Sequence, residues 1–188
     1  MKRLFLNKAL RILLSTNAMI LLAGAMLGPV YAFFVEDIGG NLLDASFAGG
    51  IFALVAGMTT LISGKYSDEI KENELIVVFG YTIMGVGFTL YTMVDSILFL
   101  FIVQTIIGFG EAIYAPAFDA VYSKHIDNHK SGSQWGVRES TNYFTVAIGA
   151  MSGGFIITKL GFNTLFVIMA TLCFMSALYI YFLPRKVL

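Results

Sequence analysis

The sequence predicts an all-α integral membrane protein with six transmembrane helices. Apolar residues make up 57% of the 188 residues and charged residues only 13%, whereas soluble domains carry about 25% charged residues. Six apolar stretches each have about 20 residues, the length that a helix needs to cross about 30 Å of hydrocarbon. Basic residues cluster on alternate connections between these stretches. The sequence therefore predicts a single six-helix transmembrane domain over residues 1–188.

The six apolar stretches, numbered here as predicted spans one to six, follow one another with short polar connections. Helices suit them because each helix satisfies its own backbone hydrogen bonds in lipid. The first stretch is longer than the 7–15 apolar residues of a signal-peptide core, which favours an uncleaved span. The stretches cover residues 12–35, 45–63, 75–94, 97–118, 140–158 and 160–183.

The distribution of Lys and Arg predicts the orientation. Alternate connections carry eleven basic residues on one side and only Lys159 on the other. Because cytoplasmic loops are enriched in Lys and Arg, both termini are expected in the cytoplasm of a multi-pass protein in the cell (inner or plasma) membrane. The eleven residues are Lys2, Arg3, Lys8, Arg11, Lys65, Lys71, Lys124, Lys130, Arg138, Arg185 and Lys186.

The sequence carries no recognisable catalytic motif, so we expect neither an enzyme nor a bound cofactor. It has no nucleophile elbow, phosphate-binding Gly-Lys loop or CxxC pair. His125 and His129 have the spacing of two metal ligands on a helix, but they lack the Glu of a zinc-protease helix and lie in a short polar connection, so no metal site is predicted. No basic patch points to nucleic acid. The expected partners are the lipid bilayer and a small-molecule solute.

Glu111 is the strongest candidate for a functional side chain. It lies about fifteen residues into span four, near the predicted membrane midplane. An ionised carboxylate there costs several kcal/mol unless it faces protein or water, so such residues usually serve transport or proton transfer. The alternative is a permanently protonated Glu111 that bonds a neighbouring helix. The first interpretation places Glu111 on a substrate or proton pathway.

Polar side chains extend this predicted pathway. Gln104 precedes Glu111 by seven residues, which puts both on one stripe of the helix. Asn17 lies on a similar stripe of span one, and Asn142 and Thr145 on one of span five. These stripes are either helix contacts or cavity walls, and the residue types do not decide between the two.

Glycines at spacings of four predict close helix packing. Gly24 and Gly28 have this spacing in span one, and Gly149 and Gly153, followed by Gly154, have it in span five. Such spacing lets helix backbones approach each other in membranes. We therefore expect these five glycines at helix contacts.

Two further patterns concern the ends of the helices. Asp119, Arg138 and Glu139 flank the cytoplasmic ends of spans four and five and are expected to pair there. Pro29 and Pro116 fall late in spans one and four, which open the two halves of the set. This placement suggests an inverted three-plus-three repeat, as in many transporters. The alternative is an ordinary kink near each helix end.

At three places the chain resembles one half of a major facilitator superfamily transporter. After span two, Gly64 and Asp68 match the conserved Gly and Asp of the family's Gly-xxx-Asp-Arg-x-Gly signature, which implies a gating loop. The fourth span resembles the Arg-xxx-Gly-x-Gly then Pro-Ala pattern, with Gln104 in the Arg position. The segment from Gly149 to Gly154 is similar to the Gly-Pro-xx-Gly-Gly segment of exporters, with Ala150 in the Pro position.

The resemblance implies a secondary transporter that works by alternating access. The family normally has twelve helices in two halves related by an axis along the membrane normal, and this chain has six predicted spans. A second copy of the chain would then complete the architecture as a parallel twofold homodimer, with proton coupling through Glu111. The alternatives are a split transporter with a different partner, a fragment of a longer chain, and a non-transporting scaffold module. The sequence does not specify substrate, direction or coupling ion.

Overall fold

The architecture is a bundle of long helices in a computed structural model that describes residues 6–70, 72–184 and 187. The side chain of Asp68 is not among the described parts. Five residues that contribute to the predicted charge bias also lie outside the described residues: Lys2, Arg3, Lys71, Arg185 and Lys186.

All regular structure in the described residues is helical. Five helical stretches are long and apolar enough to cross a membrane, and the first of them combines α1, a 3₁₀ turn and α2. The structure thus supports the predicted all-helical membrane fold. The number of six spans remains a prediction. The helices are α1 Lys8–Leu27, the 3₁₀ turn Gly28–Val30, α2 Tyr31–Asp37, α3 Leu42–Glu69, α4 Asn73–Tyr91, α5 Ile97–Lys124 and α6 Ser131–Tyr181.

Side-chain caps begin three of these helices. The Asn7 side chain accepts a hydrogen bond from the Leu10 amide at 2.8 Å, and the Ser96 side chain caps α5 in the same way. At α3, Asn41 and Asp44 form a reciprocal capping box. These side chains bond amides that have no partner in a first helical turn, which sets where each helix begins.

Helix α6 contains 51 residues and is interrupted at Gly161. Gly161 has φ 79° and ψ 174°, a left-handed conformation that favours glycine. The residue divides α6 into a first segment, 131–160, and a second segment, 162–181. These segments correspond to predicted spans five and six, and a continuous helix of this length would extend about 75 Å, far beyond one bilayer.

The second segment of α6 contacts α2 near its start and α1 near its end. In the second segment, Phe162 and Phe166 lie against Phe34 of α2, with ring centroids 5.3 and 4.9 Å apart, while Ser176 donates to the Thr16 carbonyl of α1 at 3.2 Å. The second segment is therefore antiparallel to α1 and α2.

The first segment of α6 runs parallel to α1, with two glycines at the contact. A methyl group built at Gly149 would lie 2.7 Å from Ala25 Cβ, and one built at Gly153 would overlap the Met26 carbonyl. Only a residue without a side chain allows this approach, as small-residue packing in membranes requires.

The other three predicted packing glycines do not lie at helix contacts within this chain. A methyl group at Gly24, Gly28 or Gly154 would meet no atom within 4 Å. These three glycines have no close contact inside the chain, and Gly24 and Gly28 line a cavity instead. Spacing alone does not tell which face of a helix meets a neighbour.

Glycine packing also joins α4 to α5, where Gly80 meets a glycine of the motif in span four. A methyl group at Gly80 would lie 2.8 Å from the Gly110 carbonyl oxygen. On another face of α5, one at Gly108 would lie 2.7 Å from the Phe52 carbonyl of α3. Helix α5 thus lies close to both neighbours, and this closeness positions the polar side chains that it carries.

The predicted gating loop is helical. Gly64 and the backbone of Asp68 lie within α3, which continues to Glu69. The helix thus continues past residue 63, where span two was predicted to end, and residues 64–69 contain no proline that would stop it. Helix α4 then begins at Asn73.

The two prolines occupy different local structures. Pro29 lies in the 3₁₀ turn between α1 and α2, whereas Pro116 lies inside α5, which continues past it. The inverted three-plus-three repeat therefore gains no support from these residues and remains a prediction.

Candidate functional site

A cavity of about 230 Å³ lies in the bundle where α1, α2, α3, α4 and α5 meet. Its walls contain Gln104 and Glu111, both singled out from the sequence, together with Gly24 and Gly28. The missing side chains at these glycines leave room that other residues would fill. Aromatic and aliphatic side chains form the rest of the lining: Leu27, Tyr31, Phe52, Met84, Phe88, Tyr91 and Ile107, beside Gly49.

A hydrogen-bonded group of polar side chains closes one part of the cavity wall. Gln104 Nε2 donates to the Tyr31 hydroxyl at 2.6 Å, and Tyr91 lies within hydrogen-bonding reach of the same hydroxyl. This contact joins α5 to α2 across the cavity. The two tyrosines were not identified from the sequence, because a tyrosine near the end of an apolar run is equally typical of a membrane interface.

Glu111 is the carboxylic acid of the cavity lining. Its side chain is half-buried and lies seven residues along α5 from Gln104. Within the described part of the chain, its carboxyl group makes no side-chain hydrogen bond or ion pair. An unpaired carboxylate in an apolar site is costly, and binding of a proton or a cationic group would remove this cost. The Glu111 carboxyl group can therefore bind a proton or a cationic group that enters the cavity.

The other predicted pathway residues do not line this cavity. Asn17 and Thr145 are buried in α1 and α6, with 5% and 8% of their surface exposed. The Asn142 Oδ1 atom is buried and has no hydrogen-bond partner among the described residues. The structure thus brings Gln104 and Glu111 together and leaves the polar stripes of spans one and five elsewhere.

The predicted charge cluster lies at the junction of α5 and α6. Arg138 contacts Asp119 at 2.6 Å and Glu139 at 3.2 Å, and its guanidinium is mostly covered. The same guanidinium lies 5.1 Å from the centroid of the Trp135 ring and also over Phe118. Cation–π contact and the ion pair together connect the two helices at this end.

Both histidines lie in the connection between α5 and α6, residues 125–130. His125 Nδ1 lies 2.9 Å from the Val121 carbonyl oxygen, and its own carbonyl accepts from Asn7. The described residues contain no group of three His, Cys, Asp or Glu that could hold a metal ion.

Comparison with known proteins identifies the family. Residues 13–187 match the family model described as Major Facilitator Superfamily. The chain belongs to the major facilitator superfamily. This membership places the chain in a family of transporters rather than enzymes, and it agrees with the apolar helices in indicating a multi-pass membrane protein.

Several curated members of the superfamily are similar to the chain. The Multidrug resistance protein MdtG of Erwinia billingiae is 24% identical over 91% of this chain and 42% of its own length. An uncharacterized MFS-type transporter of Methanocaldococcus jannaschii is 22% identical over 88% of this chain and 42% of its own length. The MdtG protein of Escherichia coli O1:K1 is 24% identical over 87% and 41%. The chain thus spans about two fifths of these relatives.

Proposed function

We propose that the chain is a six-span unit of a secondary active transporter that moves a small solute across the membrane by alternating access. The observation that carries this proposal is the cavity between α1 and α5, with the unpaired carboxyl group of Glu111 in its wall. A structural module has no use for a carboxylic acid in such a place, whereas a transporter can use it to bind a proton or a solute.

The proposed solute is a small, largely apolar molecule. The cavity lining is mostly aromatic and aliphatic, and its polar groups are few: Gln104, two tyrosine hydroxyls and Glu111. Such a site favours a compact apolar body with one or two polar or charged groups. The names of the MdtG relatives support drug-like solutes for this chain as well.

The proposed assembly is a parallel homodimer in which two copies together enclose the pathway. A single copy supplies one wall of such a pathway. In the superfamily, two halves with an even number of spans have the same orientation, and two copies of this chain could pair about a twofold axis in the same way. Helix α3 and the first segment of α6 support this arrangement, because both leave large apolar side chains exposed. Examples are Leu61 and Met151, with 83% and 70% of their surface exposed.

The proposal is tested by transport in reconstituted vesicles. Purified protein in vesicles with an imposed pH gradient should move a fluorescent lipophilic probe such as ethidium faster than protein-free vesicles do. Collapse of the gradient with a protonophore should remove the difference. Failure to move any probe from a panel of drug-like solutes, with protein shown to be folded and dimeric, would favour the scaffold alternative.

We expect both termini in the cytoplasm and six membrane crossings. Reporter fusions in the connections at Asp37 and Asp95 should show an outside location, and fusions at Lys71 and Lys130 an inside location, as the bias of basic residues requires. A fusion after the second segment of α6 tests the crossing that depends on Gly161. An inside signal at Asp37 or Asp95 would overturn the topology.

We expect cysteines on the exposed face of the first α6 segment to cross-link two copies. Gly149 packs against α1, whereas Met151 on the same segment is exposed, so Met151→Cys is the position of choice. The single native cysteine, Cys173, is buried and is replaced by Ala in this experiment. The control is Val167→Cys, which is exposed on the second segment. Cross-linking at Val167 alone would contradict the arrangement, and heterologous products would indicate a split transporter.

A further inference from the structure

A second and larger concave site lies between α1 and the end of α6, away from the cavity that contains Glu111. This groove has a volume of about 800 Å³ and shares no lining residue with that cavity. Its volume is within the range of about 300–1,000 Å³ found for ligand pockets. It is open to the outside of the bundle, where lipid surrounds a membrane protein.

The positive charges of the groove lie at one end only. Lys8 and Arg11 lie one turn apart on the same face of α1, and Ser15 and Met19 continue that face. The facing wall consists of α6 residues such as Met175 and Leu178. No acidic residue lines the groove among the described residues, and in that part of the chain neither Lys8 nor Arg11 forms an ion pair.

The length of the groove matches one leaflet of a bilayer. From Lys8 to Met19 the α1 wall extends about 16 Å at 1.5 Å per residue. Half of a hydrocarbon core of about 30 Å is about 15 Å. The groove therefore has a basic end at the depth of lipid headgroups and an apolar floor that extends to about the middle of the membrane.

We propose that this groove binds one anionic glycerophospholipid. Its phosphate lies against Lys8 and Arg11, and one acyl chain lies along Met19 and Met175. The basic end belongs to the cytoplasmic leaflet in the proposed topology, and anionic lipids there attract basic residues next to spans. The lipid would hold the start of α1 against the end of α6, which are far apart in the chain.

A second copy of the chain fits the groove less well than a lipid. A twofold contact through this face would bring two sets of the same basic residues to the same depth in the membrane, where like charges repel. A phospholipid supplies the opposite charge and the apolar chain together. The charge pattern thus selects the lipid as occupant.

The experiment measures lipid retained by the purified, detergent-solubilised protein with native mass spectrometry. The probes are phosphatidylglycerol and phosphatidylethanolamine with identical acyl chains, and glycerophosphoglycerol as the headgroup without chains. The variants are Lys8→Gln with Arg11→Gln for the basic end and Met175→Trp for the apolar floor. The charge control is Lys124→Gln with Lys130→Gln, which removes two basic residues outside the groove.

The parent protein should retain phosphatidylglycerol in preference to phosphatidylethanolamine and should not retain the free headgroup. Removal of both basic residues should lower this preference by roughly 10- to 30-fold, and the charge control should keep it. Met175→Trp should reduce retention of both lipids.

Unchanged preference without Lys8 and Arg11 would overturn the proposal, as would equal retention of the free headgroup. A change in dimerisation without a change in lipid retention after Met175→Trp would assign the groove to a second copy instead. Lipid retention is measured in detergent and requires neither transport nor a defined leaflet. A negative result for lipid binding would therefore leave the proposed transport function untouched, and the reverse also holds.

Discussion

Glu111→Gln is expected to abolish solute accumulation driven by a pH gradient and to leave folding intact. Glutamine has almost the same size and retains hydrogen-bonding capacity, but it cannot bind and release a proton at physiological pH. The variant should also assemble normally, because the Glu111 carboxyl group makes no side-chain hydrogen bond or ion pair among the described residues that the substitution would break. Removing an ionisable group from an apolar site should leave stability equal or slightly higher.

The size of the effect follows from the energy that the gradient supplies. One pH unit is worth about 1.4 kcal/mol per proton, which supports up to about tenfold accumulation of a solute coupled to one proton. Under a gradient of this size the parent should approach that ratio, whereas Glu111→Gln should stop near equal concentrations. Downhill exchange of the same solute should persist, since the cavity keeps its shape.

The matched control for this substitution is Glu36→Gln. Glu36 is exposed near the end of α2 and lies outside the cavity lining, so it loses the same charge without touching the proposed pathway. Accumulation by Glu36→Gln should equal that of the parent. If Glu111→Gln accumulates solute as well as Glu36→Gln does, Glu111 has a structural role and proton coupling through it is wrong.

Gly153→Ala is expected to destabilise the protein, whereas Gly154→Ala is not. A methyl group at Gly153 would overlap the Met26 carbonyl oxygen, which belongs to the backbone of α1 and cannot rotate away. Overpacking of this kind costs about 1–3 kcal/mol. A methyl group at Gly154 meets no atom within 4 Å, so that variant should show only the slightly better helix propensity of alanine.

The measurement is reversible unfolding of both variants in mixed micelles with increasing denaturing detergent. The two glycines are adjacent in one helix, so the difference between the variants isolates the contact with α1 from the effect of propensity. Equal stabilities would contradict the close packing of α1 against the first segment of α6. Loss of stability in Gly154→Ala alone would place the contact on the other face of the helix.

The sequence alone predicts the helical architecture of this protein well, because span length and apolar composition are direct consequences of the bilayer. It also places the break between the last two spans within a few residues of Gly161. The continuation of α3 through Gly64 is missed, since a glycine followed by charged residues is compatible with either a turn or an exposed helix end.

The candidate site is predicted only in part. Glu111 and Gln104 are found because a charged or amide side chain in an apolar run is unusual on its own. Tyr31 and the close approach of Gly80 to Gly110 are missed, since their roles depend on which helix faces which. The same limit explains why Gly24 and Gly28, expected at a helix contact, line the cavity instead.

The reversal of the chain at Gly161 has a mechanical consequence. The two segments of α6 are joined at the single residue Gly161, and both contact α1, the first through Gly149 and Gly153 and the second through Ser176. The second segment also contacts Phe34 of α2. We expect the two segments and α1 to move as one unit, because both segments contact α1. In the proposed dimer, opening and closing of the pathway would then require whole copies to tilt against each other. The contacts that change would lie at the interface between the two copies.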